Sequence, residues 1–199
     1  AVDAVAAAVR RGDGVFFPKE SVYGLGADAV DSDAVERVFD AKSRPRSRPV
    51  SMAVPSVEAA FEYAVADERE RAFMRTFLPG PVTVLLERRD LVPSALVAGG
   101  ETVGVRVPDH PVALALLESV APVTATSANV SGEPSARTTG ALDERIREAA
   151  AVVLDGGETP GGGSTVVDVA RGELVRRGVL AGAVEDWLAD PPGDVATPD

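Results

Sequence analysis

Apolar residues recur along this chain with two different spacings. Val35, Val38, Phe39 and Ala41 follow one another at short helical intervals, which predicts a helix over Asp33 to Lys42. Ser32 or Asp31 stands where its N-cap belongs. Comparable patterns predict helices over Asp3 to Arg11, Glu68 to Leu78, Pro111 to Ser119, Leu142 to Ala149 and Ala183 to Leu188. Short β-branched and aromatic runs predict strands at Val15 to Phe17, Val50 to Val54, Val82 to Leu86, Val103 to Val107, Val123 to Thr126 and Val152 to Leu154. Ser164 to Val169 and Glu173 to Arg176 form a predicted hairpin. Tyr23-Gly24-Leu25-Gly26 predicts a turn with two flexible hinges. The glycine-rich stretch Gly156 to Gly163 has two readings, an exposed loop or a lid and amide cradle over a ligand.

Mixed strands and helices imply an α/β class, with one open, twisted, mixed sheet flanked by helices. No repeat and no strong linker divides the chain, so residues 1–189 read as one domain. Residues 190–199 are acidic and proline-rich, and are expected to be disordered. The alanine-rich start carries Asp3 and lacks a basic region, so it reads as an amphipathic helix, not a signal peptide. No apolar run reaches the roughly 18 residues that span a bilayer. A cytoplasmic protein is expected.

Charge and composition narrow the chemistry. The 199 residues carry a net charge of −11 and no cysteine, which excludes disulfides, a thiol nucleophile and thiolate metal ligation. Only Lys19 and Lys42 are lysines; the other basic residues are arginines. Such a balance resembles proteins of a high-salt cytoplasm, and GC-rich coding favours arginine as well. An acidic surface repels polyanions, so a nucleotide or RNA must meet a local basic patch. Arg37, Lys42, Arg44, Arg46 and Arg48 supply one. His110, the single histidine, reads as a surface or capping residue, and histidine-based metal sites are excluded. No P-loop pattern is present.

What remains is a site of arginines, lysine, hydroxyls and backbone amides, suited to transfer at phosphorus by positioning and charge stabilisation. Thr124 to Gly132 packs hydroxyls, a carboxamide and a glycine behind the apolar run Ala121 to Val123. Ser127 and Asn129 lie two apart, so in an extended loop both face one side. Asn129 then reads a base or sugar edge and Ser127 meets phosphate. Alternatively, the pair makes a turn that satisfies its own backbone.

Together these segments resemble the YrdC-like family, the threonylcarbamoyl-AMP synthases. Pro18 to Gly26 is similar to the family's P-T-E-T-V-Y-G-L-G, Lys42 to Pro45 to K-x-R-P, and Pro79 to Thr83 to P-G-P-x-T. Val105 to Pro108 resembles V-R-x-P, Thr126 to Gly132 resembles T-S-A-N-x-S-G, and Ser164 to Asp168 resembles S-T-V-V-D. The resemblance implies an open twisted sheet with a concave basic cleft. It also implies synthesis of threonylcarbamoyl-AMP and pyrophosphate from L-threonine, bicarbonate and ATP, for threonylcarbamoyladenosine modification of tRNA. By motif position it assigns Lys42 and Arg44 to catalysis. Arg44, Arg48, Ser127, Ala128, Asn129 and Arg176 are assigned to ATP, and Ser21, Lys42, Arg106, Thr126 and Ser164 to threonine. Mg²⁺ is expected to arrive on the ATP phosphates, with no metal held by protein residues. The downstream tRNA-modifying machinery is an implied partner, with weak direct tRNA contact a further expectation and no membrane partner.

The chain departs from the pattern at several points. Lys19 and Ser21 replace the two threonines of the first motif, Arg48 stands in place of an asparagine, and Ala53 in place of a histidine of longer members. The extra C-terminal domain of those longer members is not expected here. Two other readings stay open: a paralogue with altered substrate, and a non-catalytic RNA-binding module.

Overall fold

The computed structural model describes residues 2–192. Helix α1 (Val2–Arg10) leads into β1 (Gly14–Phe17) and β2 (Gly24–Gly26). After them come α2 (Ser32–Ala41), β3 (Met52–Ala53), α3 (Val57–Ala60), β4 (Ala64–Val65) and α4 (Glu68–Phe77). Strands β5 (Val82–Arg88) and β6 (Thr102–Arg106) precede α5 (Pro111–Val120), β7 (Val123–Thr124) and β8 (Thr126–Ser127). A 3-10 turn (Thr139–Ala141), α6 (Glu144–Arg147), β9 (Ala150–Val153), β10 (Thr165–Asp168), β11 (Glu173–Arg176) and α7 (Ala181–Ala189) complete the order. Most of the tail expected to be disordered lies at residues 193–199, outside the described residues.

The class is the mixed α/β one expected, but the strands divide between two sheets where one was anticipated. Four strands run in the order β8-β2-β1-β9; seven form the second sheet, β11-β10-β5-β6-β3-β7, with β4 paired to β5. Both sheets mix parallel and antiparallel pairs, such as β1 with β9 (parallel) and β5 with β6 (antiparallel). The division falls inside the apolar run read as one strand. Thr124 pairs with Met52 in the larger sheet, and Thr126 with Leu25 in the smaller. Ala125 between them bonds to Ser51 through its amide. This one segment therefore stitches the sheets together.

The glycines of Gly24-Leu25-Gly26 are not turn residues; they form β2, paired with both β1 and β8. The reason is steric. A Cβ on Gly26 would stand 2.9 Å from the Phe17 ring, and one on Gly24 would stand 3.2 Å from it. Glycine here lets a buried aromatic ring lie flat across the neighbouring strand.

Alternation along β5 and β6 sets the function of the larger sheet. Val82, Val84, Leu86, Val103 and Val105 point into the main core, with Phe73, Met74 and Trp187 from the covering helices. The intervening residues, Thr83, Leu85, Thr102, Gly104 and Arg106, line a cavity on the opposite face. A period of two thus makes one face a packed interior and the other the floor of a cleft. No helix among the described residues is long and apolar enough to cross a membrane.

Candidate ligand-binding and catalytic cleft

The cleft has a volume of about 690 Å³. Its walls bring together segments far apart in sequence: Lys19, Ser21 and Val22, Arg44, Thr126 and Ser127, the end of the glycine-rich stretch, and Val175 and Arg176 of β11. Six of its lining residues are cationic: Lys19, Arg44, Arg106, Arg137, Arg176 and Arg177. Among the described residues no aspartate or glutamate lines it, although the chain carries 31 of them. Both lysines of the chain are withdrawn from solvent, Lys19 at 2% and Lys42 at 1% exposure.

Helix α2 delivers Lys42 and Arg44. Its start is capped by the Asp31 carboxylate, which accepts from the Asp33 and Ala34 amides. At its end the Arg44 amide donates to Phe39 O and the Ser43 amide to Asp40 O. This is a Schellman closure with serine, not glycine, in the left-handed position (φ 48°). A non-glycine residue held there marks a backbone whose course is over-determined by its surroundings.

Those surroundings are the Thr126 to Gly132 loop. The Lys42 ammonium donates to Ser127 O at 2.5 Å and to Asn129 O at 2.6 Å, and the Lys42 carbonyl accepts from the Ser131 amide at 2.9 Å. Burial, with Arg44 nearby, lowers the Lys42 pKa to about 8. The two motifs thus meet, but Lys42 itself is not among the residues lining the cavity. Asn129 is likewise turned inward. Its amide nitrogen donates to Val130 O and Glu133 O, and its oxygen accepts from the Ser135 hydroxyl. The self-satisfying turn is the arrangement present. Ala128 is buried, with its amide bonded to Tyr23 O. Arg48 is exposed and offers its carbonyl to Arg44 Nε.

Arg44, Ser127 and Arg176 do line the cavity, as do Ser21, Arg106, Thr126 and Ser164. Arg44 is braced by Arg48 O (2.9 Å) and Pro49 O (2.7 Å). Burial lowers its pKa, with repulsion from Arg48 and Arg176 adding to the effect. Arg176 grips Ser164 through its carbonyl (2.8 Å) and hydroxyl (2.7 Å). Arg106, 3% exposed, pairs with Glu20, yet Arg106 Nε and Glu20 Oε2 are buried without partners. Burial lowers the Arg106 pKa and Glu20 opposes that shift. An unpaired buried donor costs free energy until an acceptor reaches it.

The glycine-rich stretch is anchored at both ends. The Tyr23 hydroxyl donates to Gly157 O (2.8 Å) and accepts from the Gly156 amide (3.0 Å). The Gly161 amide is spent on Ser21 O (2.6 Å), while Gly161 to Gly163 border the cavity. His110 is a cap: its Nδ1 accepts from Val112 N, at the start of α5. Ser51, Thr83, Ser135 and Arg137 also line the cleft, and sequence reasoning did not single them out. Thr83 lay inside a quoted motif. The others carried no local signal, because only strand alternation and a long-range crossing bring them there.

The described residues thus form a two-sheet α/β scaffold with a cavity on one sheet face lined by cations and hydroxyls. The Sua5/YciO/YrdC family model, described as telomere recombination, matches residues 7–178, and the chain belongs to that family. It is 42% identical over 165 residues to threonylcarbamoyl-AMP synthase of Pyrococcus abyssi, covering 81% of this chain and 48% of that protein. It is 34% identical over 183 residues to threonylcarbamoyl-AMP synthase of Pseudomonas putida, covering 89% of this chain and 97% of that protein. Among solved structures, that of P. abyssi Sua5 complexed with L-threonine superposes with a TM-score of 0.80 at 40% identity, over 84% of this chain and 50% of the other. The chain spans about half the length of the Pyrococcus relative and of a Bacillus subtilis one.

Proposed function

We propose that the chain is an L-threonylcarbamoyladenylate synthase. The observation that carries this reading is the convergence of Ser21, Arg44, Arg106, Thr126, Ser127, Ser164 and Arg176 on one carboxylate-free cavity. Membership of a family with relatives named threonylcarbamoyl-AMP synthase supports it.

In this reading the threonine amine condenses with bicarbonate to give a carbamate and water. A carbamate oxygen then attacks the α-phosphorus of ATP, and pyrophosphate leaves. Arg106, with its free Nε donor, meets the amino-acid carboxylate, while the Ser21, Thr126 and Ser164 hydroxyls orient the rest of threonine. Arg44 and Arg176 neutralise charge on the phosphates, and Ser127 holds the nucleotide. Lys42 acts by fixing the carbonyls of Ser127 and Asn129, which shapes the nucleotide wall. Ala128 and Asn129 contribute backbone form to the same wall, and Arg48 braces Arg44 through its carbonyl. The walls shield a carbamate that water would decompose. A divalent cation such as Mg²⁺ comes with the ATP phosphates: the cleft lining offers no carboxylate, and no group of three or more metal-ligating side chains exists among the described residues. The product would feed tRNA threonylcarbamoylation in the cytoplasm.

The test is pyrophosphate release by purified protein at high salt. Release is expected only when ATP, L-threonine and bicarbonate are all present. Release indifferent to threonine points to another acceptor, and RNA binding with no turnover supports the non-catalytic module.

A further inference from the structure

The cleft contains a cation that the roles above leave unused. Lys19 lines it at 2% exposure, between Phe17 of β1 and Ser21. Its stem crosses β2 closely enough that a Cβ on Gly24 would stand 3.2 Å from Lys19 Cε, and Gly24 is the cross-strand partner of Ser127. The nearby carboxylate, Glu20, is committed to Arg106. The other groups acting on Lys19 are cations: Arg106 from β6, Lys42 beyond α2 and Arg176 from β11. The amine has no hydrogen-bond partner among the described residues. Burial first, then these cations, hold its pKa well below the usual lysine value. In a chain with two lysines, Lys42 donates to the carbonyls of Ser127 and Asn129 and does not line the cavity. Lys19 is the one left facing the cavity. Beside it the buried Arg106 Nε also lacks an acceptor.

We propose that Lys19 is a substrate-contacting residue that binds a carboxylate-type anion together with Arg106. The anion is the CO₂⁻ group of the amino acid or of the carbamate built from bicarbonate. This rests on the synthase reading. An arriving anion supplies the amine with an acceptor. Burial disfavours the charge on this amine, a cost that the contact with an anion offsets.

Calorimetric titration of the full chain with L-threonine tests it. Lys19→Met is expected to bind about ten- to a hundredfold more weakly, the worth of a hydrogen bond between charged groups. Lys19→Arg should recover most of the affinity. Because Met removes a charge that burial and the neighbouring cations disfavour, Lys19→Met should melt at or above the wild-type temperature, which a structural role would not allow. If threonine affinity is unchanged but the KM for bicarbonate rises tenfold, the contact is with the carbamate. Threonine affinity and bicarbonate KM both unchanged in Lys19→Met would overturn the proposal alone. A wild-type chain that binds no threonine overturns the synthase reading, and this proposal with it.

Discussion

Lys42→Met probes the joint on which the cleft depends. The methionine keeps most of the buried stem and removes the ammonium that ties Ser127 O and Asn129 O together. Two opposing effects decide the outcome. Hydrogen bonds to a charged group contribute about 1.5–3 kcal/mol each, so losing two removes about 3–6 kcal/mol. Against this, a pKa held at about 8 instead of 10.5 reflects a burial cost of about 3 kcal/mol, which methionine does not bear. The two offset at the low end and the bonds win by about 3 kcal/mol at the high end. For a chain of 199 residues each kcal/mol moves the melting temperature by about 2–4 °C, so a fall of up to roughly 12 °C is expected. Urea titration at pH 7 gives the free energy and a thermal melt followed by circular dichroism gives the temperature. Turnover should fall more than stability does, because the freed carbonyls reset the Thr126 to Gly132 loop. A variant as stable as wild type with unchanged turnover would refute the view that this ammonium organises the cleft wall.

The same lysine makes a pH prediction. Its folded pKa lies below its unfolded one, so between about pH 8 and 10.5 the folded chain binds fewer protons than the unfolded chain. Stability of wild type relative to Lys42→Met should therefore rise with pH across that window, by up to about 1.4 kcal/mol per unit. A flat difference in paired urea titrations would remove the shift. Gly26→Ala should cost about 1–3 kcal/mol, because its Cβ meets the fully buried Phe17 ring at 2.9 Å; an unchanged urea midpoint would mean the ring moves aside freely.

Much of the architecture was legible where a single element carries its own signal. The spacing of Val35, Val38 and Phe39 located α2 and its buried face, with Asp31 as cap. The runs at Val82 and Val103 located the two central strands, and the hairpin of β10 and β11 was readable as well. What escaped depends on partners distant in sequence. Gly24 and Gly26 carry a local turn signal that the Phe17 ring overrides. The run Val123 to Thr126 reads as one strand, yet Met52 claims its first half and Leu25 its second. Motif matching found residues that meet at the site but not which way they face. Lys42 and Asn129 turn inward because unpaired carbonyls and an amide group close at hand need partners. Lys19 faces the cavity because Glu20 is already taken by Arg106.

The most direct measurement of the central claim follows the carbon of bicarbonate. Protein incubated with ATP, L-threonine and ¹³C-bicarbonate is quenched, and the nucleotide products are resolved by mass spectrometry. A threonylcarbamoyl-adenylate one mass unit heavier than its unlabelled form, appearing in step with pyrophosphate, is the result expected. An adenylate that carries threonine without the label, or no adenylate at all while ATP is consumed, would contradict the assignment of this cleft.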